Sequence, residues 1–498
     1  MKLLMINPPS KHADGSTNPR IYLPIGLLYL ASMLEKHNHQ VKVYDGRLSA
    51  KITKDSNGNI HFGDSWEEVR KVIQDFNPEI VCISCMFSNQ SSQAFKTAEI
   101  AKEISKDILA VVGGPHPSVD TAFVNNKFVD IQVSGEGEFT ILDIVDYFNG
   151  KKKLDEIKGI AFKENDEVKI MKKREFIDAL DEIPFPAYHL VDMEEYFRKQ
   201  NHGYGARPLI RGKRVVPIIT SRGCPYECTF CSIFLSMGRK FRYHSPNYVL
   251  NHIQLLKEKY GVDFILFEDD NMSLRLKRFD EILEGMISRR LNDVKWGVIN
   301  GLRADTLSRE MMLKMKRAGC SYVVIAIESG VQRVVNDVIK KYLDLKKVVR
   351  VCEDAMQVKM EMYAYYIVGF PDETMDEIKQ TINFAMMLDD KYGVFPMVNI
   401  ATPLYGTELY SRAEETGSLV QEVTEEGLLK ATQTHGSGLI QTSEFTFEDL
   451  QKENKRLNRN IFKNLVKRSI LHPPLLVNYI STTIKNPYVI KKYVFGKG

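Results

Sequence analysis

Along the first 150 residues, short apolar runs alternate with stretches whose apolar positions recur every three or four residues. KLLMIN, VKVYD, EIVCISC, ILAVVGG and VDIQVSG read as buried strands, with GLLYLASMLEKHN and SSQAFKTAEIAKEIS as amphipathic helices between them. Such alternation predicts a doubly wound, flavodoxin-like parallel sheet of the Rossmann type. Sheets of that class bind ligands beyond the carboxyl ends of their strands. The strand-end segments GGPHPS and SGEGEFT are therefore where a ligand is sought. IKGIAFKENDEVKIMKK predicts a hairpin turning near Glu164–Asp166, and DEIPFPAYHLVDMEEY, interrupted by Pro184 and Pro186, predicts a linker.

A second series starts near Val215. VVPIIT, DFILFED, VKWGVIN, YVVIAIES, MYAYYIVGF and MVNIATP are strand candidates, separated by helical patterns such as NYVLNHIQLLKEKYG and TMDEIKQTINFAMMLDD. Six strand–helix units fall short of the eight in a closed barrel, so an open (β/α)6 partial TIM barrel is expected. Its lateral gap would admit a large substrate. After about residue 420 the strands stop and the pattern turns helical and polar. The expected organisation is an α/β domain over 1–150, a hairpin and linker over 151–210, the partial barrel over 211–420 and a helical, basic region over 421–498.

Composition changes this picture little. A length of 498 residues suggests about three domains, and a formal net charge of +4 gives no electrostatic argument for nucleic acid. MKLLMINPPS is too short and too soon broken by proline to read as a signal peptide, and no apolar run has the length of a spanning helix. Seven cysteines, an odd number, do not make a disulfide framework. A cytoplasmic protein is expected.

Three of those cysteines fall within TSRGCPYECTFCS, at the carboxyl end of the first strand of the second series. Barrel enzymes place their active sites at such strand ends. Cys224, Cys228 and Cys231 on one loop offer three thiolates to one metal centre. A [4Fe–4S] cluster is usually held by four cysteines, so three leave one iron open to a substrate. Structural zinc would need a fourth ligand, and His244 is the nearest histidine downstream. Cys82 and Cys85, three apart in one strand, point to opposite faces and read as packing. Cys320 and Cys352 lie in apolar settings.

The C-x3-C-x-aromatic-C spacing, with Phe230 before the last cysteine, resembles the signature of radical S-adenosylmethionine (SAM) enzymes. The resemblance implies that the open iron chelates the amino and carboxyl groups of SAM. An electron from a donor such as flavodoxin or ferredoxin then cleaves SAM to methionine and a 5′-deoxyadenosyl radical. It further implies a SAM pocket in which Glu268, Asp269 and Asp270 of FEDDNMSL accept from the ammonium, Arg303 of NGLRADTLS pairs with the carboxylate, and Glu328 of AIESG contacts the ribose or amino acid. Capping or surface ion pairing is the other use of each carboxylate.

INPPS, PIGLLYLASMLE, VYDGR, VVGGPHPS, VSGEGEFT and the proline-containing linker resemble the subgroup that carries a cobalamin-binding domain, the class B methyltransferase-like enzymes. That likeness spans roughly residues 1–420. It implies cobalamin near Ser84, Gly113, Gly114, His116, Ser134, Gly135, Glu136 and Gly137. No Asp-x-His-x-x-Gly segment occurs, so His116 reads as a pocket-lining or turn residue rather than a cobalt ligand. A domain holding FMN, or holding nothing, are the other readings of the same strand pattern. The three further amino-terminal cysteines of methylthiotransferases are missing.

The subgroup's common activity is methylation of an unactivated carbon. Radical cyclisation, rearrangement or carbon–carbon coupling on the same cofactors is the near alternative, and a non-enzymatic iron–sulfur redox protein the distant one. After Glu453 the chain has no acidic residue but carries Lys455, Arg456, Arg459, Lys463, Lys467, Arg468, Lys485, Lys491, Lys492 and Lys497. This predicts either a basic helical cap on the barrel or a segment that lies on an anionic membrane surface. In the second case the substrate would be a lipid or another hydrophobic molecule.

Overall fold

The computed structural model describes residues 1–13, 21–56, 58–120, 123–203, 212–431 and 438–471. Its first sheet has seven strands: β1 (Lys2–Asn7), β2 (Gln40–Asp45), β3 (Ile80–Ser84), β4 (Leu109–Gly113), β5 (Ile131–Val133), β6 (Ile160–Glu164) and β7 (Glu167–Ile170). The first five pair in parallel in the order β2-β1-β3-β4-β5, which is the flavodoxin-like order. Its crevice opens where the order reverses, between β1 and β3. The β6–β7 hairpin extends the far edge antiparallel, turning through Asn165 and Asp166, both at positive φ. The alternation within β3 sorts its cysteines as expected. Cys82 packs into one core and Cys85, just past the strand, into the core on the opposite face. Burial pushes both thiols up to about 12.

The second sheet is six parallel strands in sequence order: β8 (Val215–Ile218), β9 (Phe264–Phe267), β10 (Lys295–Val298), β11 (Cys320–Glu328), β12 (Met362–Val368) and β13 (Phe395–Ile400). β8 and β13 do not pair, so the barrel is open. The covering helices begin at identifiable caps. Ser245 accepts from Tyr248 N ahead of Pro246–Tyr260, and Thr374 forms a capping box with Glu377 ahead of Met375–Tyr392.

The proline-containing linker is a packed connector. Tyr188 and Tyr196 are fully buried. Tyr196 donates to Asp45 Oδ2 at 2.6 Å, at the end of β2, and Tyr188 meets His252 Nε2 at 3.0 Å on a barrel helix. The carboxyl-terminal helix Phe447–Leu471 caps the barrel: Arg468 pairs with Asp389 at 2.8 Å and Arg456 donates to Asn383 at 2.8 Å, both acceptors on Met375–Tyr392. Within the described part of the basic region, the cap is therefore the arrangement present. Lys485, Lys491, Lys492 and Lys497, on which the membrane reading also draws, lie outside the described residues. Among the described residues no helix is long and apolar enough to cross a membrane.

Candidate active site

The carboxyl ends of both sheets open onto one cavity of about 1330 Å³. From the first sheet Ser84, Gly113, Gly114, Gly135, Glu136 and Gly137 line it; from the second, Phe230, Glu268 and Glu328 do. Ser134 and His116 are not among its walls. Ser134 donates to Pro117 O at 3.2 Å, while His116 packs edge-on to Phe123 and against Tyr405. His116 is thus a turn residue and not a pocket-lining one. Gly114 sits at φ +124°, where a Cβ would lie 2.6 Å from the Cys85 carbonyl. That position requires glycine and leaves flat backbone facing the cavity.

The cysteine loop is fixed by main-chain contacts. Thr229 N donates to Ile339 O at 3.0 Å, Leu409 N to Thr229 O at 2.9 Å and Cys224 N to Gly238 O at 3.3 Å. Gly223, at φ +81°, has no room for a Cβ, which would lie 2.5 Å from Lys240 O. All three thiols are half-buried. Burial raises each of them, Cys231 to about 12, and the three also act on one another electrostatically. Among the described residues no three His, Cys, Asp or Glu side chains are grouped for a single metal ion. A cubane instead spreads its thiolates over separate irons. Three soft thiol donors carried on one loop suit an iron–sulfur cluster. His244, the zinc alternative's fourth ligand, is engaged elsewhere, 3.2 Å from Asp181 and stacked on Tyr248.

The acidic triplet after β9 divides by direction. Glu268 lines the cavity. Asp269, fully buried, accepts from Thr220 Oγ1 at 2.6 Å and Ser221 Oγ at 2.5 Å. Asp270 accepts from Gly223 N at 2.9 Å, and burial raises its carboxyl to about 6. Both aspartates therefore tie down the chain entering Cys224 instead of facing the cavity, contrary to their expected contact with the ammonium. Arg303 is likewise engaged: its fork grips Asp305 at 3.0 and 2.8 Å, Nη1 donates to Lys341 O at 3.0 Å, and the guanidinium lies 3.9 Å from the Tyr226 ring centroid. It braces the cysteine loop in the place of the expected free carboxylate clamp.

Several side chains escaped the sequence reading. Lys341, buried, pairs with Glu328 at 2.8 Å. Burial opposes its charge, but Glu328 and Cys228 outweigh this and hold its pKa above the usual lysine value. Glu328 itself adopts φ +71°, a strained conformation for a non-glycine residue. Glu136 and Glu138 do not wait for a ligand. Arg222 donates to them at 2.9 and 2.6 Å, and Arg242 donates to Glu136 at 2.6 and 2.8 Å. All four are buried, and Arg222 stands two residues before Cys224. Burial works against ionisation of Glu138, yet Arg222 holds it below the usual carboxylate value. His12 and Arg47 also line the cavity beside the ends of β1 and β2. Burial and Arg47 lower the imidazole to about 4, so it is neutral near pH 7.

Comparison with known proteins agrees with this architecture. Residues 218–385 match the radical SAM superfamily and residues 14–145 the B12 binding domain. The uncharacterized methyltransferase PH0819 of Pyrococcus horikoshii is 33% identical over 419 residues, covering 83% of each chain. The cytidylyl-2-hydroxyethylphosphonate methyltransferase of Streptomyces wedmorensis is 29% identical, covering 87% of this chain and 85% of that one. Two solved structures share the fold. The radical SAM methyltransferase TsrM of Kitasatospora setae, with cobalamin and a [4Fe–4S] cluster bound, has a TM-score of 0.65 at 17% identity, over 85% of this chain and 79% of TsrM. The cobalamin-dependent enzyme OxsB has a TM-score of 0.68 at 18% identity, over 98% of this chain and 72% of OxsB. The chain belongs to the radical SAM superfamily, in the branch that carries a B12 binding domain, and is an enzyme whose cofactors are a [4Fe–4S] cluster, SAM and cobalamin.

Proposed function

We propose that the protein methylates an unactivated carbon of a small-molecule or lipid substrate in the cytoplasm, drawing electrons from a donor of the flavodoxin or ferredoxin type. The observation that carries this reading is the single cavity shared by the glycine-lined ends of β3, β4 and β5 and the acidic ends of β9 and β11. When bound, the cluster with SAM supplies the 5′-deoxyadenosyl radical and cobalamin the methyl group, so the protein's task is placement and water exclusion.

Cys224, Cys228 and Cys231 hold the cluster, with Phe230 carrying their loop to the cavity wall. Lys341 and Glu328, opposite in charge and bonded to each other, orient the carboxylate and ammonium of SAM, assisted by Glu268. Asp269, Asp270 and Arg303 act one layer out, fixing the loop. Ser84, Gly113, Gly114, Gly135 and Gly137 present backbone and one hydroxyl to the corrin. Glu136, also on the cavity wall, holds Arg222 and Arg242.

The test is anaerobic reconstitution with iron, sulfide and hydroxocobalamin, followed by incubation of cell extracts with reductant and SAM bearing a trideuterated methyl group. A product three deuterons heavier is expected. A product formed without the label would instead support cyclisation or coupling, the reading favoured by the name of an anaerobic magnesium-protoporphyrin IX monomethyl ester cyclase of Cereibacter sphaeroides, 25% identical over 400 residues.

A further inference from the structure

The walls of the cavity are of two kinds. Its charged side chains, Arg47, Glu136, Glu138, Arg222, Glu268 and Glu328, all stand on the amino-terminal domain or the ends of β8, β9 and β11, as does the neutral imidazole of His12. From Tyr363 onward no described lining residue carries a charge. The boundary has a structural origin. β13 is an edge strand with no partner on its outer side, so consecutive residues from Phe395 to Thr402 reach the cavity. Phe395, Met397 and Asn399, alternate along the strand, are the half-buried ones.

Opposite them stands the carboxyl-terminal helix. Asn454, Leu457, Asn458 and Ile461 line the cavity, and their spacing places all four on one helix face. The charged neighbours Lys455 and Arg459 are exposed on the other side. The two asparagine amides are half-buried and are not bonded to other described side chains. This helix lies outside both family matches, which end at residues 145 and 385.

We infer that this half of the cavity receives a neutral, mainly apolar part of the substrate, and that the carboxyl-terminal helix selects it through Asn454 and Asn458. The inference rests on the proposed function in taking the cavity as the active site. Its physical basis is the cost of placing an ion where no opposite charge meets it. An amide offers both a donor and an acceptor to a hydroxyl, carbonyl or ether but no compensating charge to an oxyanion. Aliphatic and aromatic walls favour apolar substrate surface by removing it from water. The Streptomyces relative is named for a substrate bearing phosphorus oxyacid groups. The uncharged wall described here suits a different class: a neutral lipid-like or polycyclic molecule with an uncharged polar group.

Two probes of one skeleton test this: N-phenyl-1-naphthylamine, which is neutral, and 8-anilinonaphthalene-1-sulfonate, which adds a single anion. Equilibrium dialysis of each against the full chain, reconstituted with cluster and hydroxocobalamin, is expected to give at least about tenfold tighter retention of the neutral probe. Met397→Asp should abolish that preference by weakening the neutral probe. Asn458→Arg, on the half-exposed helix face, should shift the preference toward the sulfonate, whereas Lys455→Glu should leave it unchanged. Equal or tighter retention of the sulfonate by the unsubstituted chain overturns the inference, as does a preference untouched by both Met397→Asp and Asn458→Arg. Deoxyadenosine formation is followed alongside. A chain that makes none but keeps the probe preference supports the wall and overturns the proposed function. A chain that makes it without the preference overturns the wall alone.

Discussion

The two sheets present their carboxyl ends to the same space with different means. The first offers glycines, a serine and main chain, and its acidic residues Glu136 and Glu138 are held in ion pairs with the barrel. The second offers Phe230, Glu268 and Glu328, the last paired with buried Lys341, and its cysteine loop is held by Asp269, Asp270 and Arg303. A broad, flat cofactor is accommodated by shape, because removing side chains lets backbone approach it closely. A small zwitterion and a cluster need directed charge, because their orientation decides which atoms meet.

Predictions that separate shape from charge follow in order of size. Cys228→Ala should reduce deoxyadenosine formation to background in the reconstituted protein, read by mass spectrometry, while hydroxocobalamin is still retained. Loss of both together would mean the two ends are not independent. Arg222→Met leaves buried Glu138 without its partner and Glu136 with Arg242 alone, and breaking such a pair costs about 3–5 kcal/mol. Chemical denaturation should register that loss. Gly114→Ala forces an alanine into positive φ against the Cys85 carbonyl, a strain of about 1–3 kcal/mol. Hydroxocobalamin affinity should fall by about tenfold, with cluster content unchanged. Gly113→Ala, whose Cβ would meet only Val133 at 3.5 Å, should bind normally.

A separate effect concerns pH. Glu373 is fully buried, accepts from Gly369 N at 2.7 Å and Phe370 N at 2.9 Å, and leaves Oε1 unpartnered. Burial raises its carboxyl to about 7, outweighing those two donors. A folded-state value above the unfolded one stabilises the protein below the unfolded pKa, and that contribution is lost as pH rises through about 7. Glu373→Gln should flatten the decline in stability between pH 4.5 and 7.5 by about 2 kcal/mol, measured by denaturation at both ends.

Much of this was legible in sequence because it rests on local periodicity. The β6–β7 hairpin with its 165–166 turn and the six barrel strands follow from alternation and turn residues alone, whereas the antiparallel pairing of β6 with β5 does not. The cysteine loop was legible because three thiols in eight residues have few other uses. The acidic triplet was misread where the strand ends. Alternation at Glu268, Asp269 and Asp270 already separates the middle residue from its neighbours, but the direction of Asp270 depends on the returning loop at Gly223. Lys341 carried no signal, because its partner lies thirteen residues upstream across an irregular turn. Arg222 and Arg242 were invisible for a related reason. Their carboxylates belong to another domain, 84 to 106 residues away.

That last arrangement bears on how such proteins can be taken apart or recombined. Expressed without its forerunner, the barrel would carry two guanidiniums stripped of their carboxylates, one two residues ahead of its first cysteine and one eleven residues beyond its third. A hybrid built by transplanting another vitamin module would need to bring a matching acid at both 136 and 138, or the graft would fail at the suture before any chemistry was attempted.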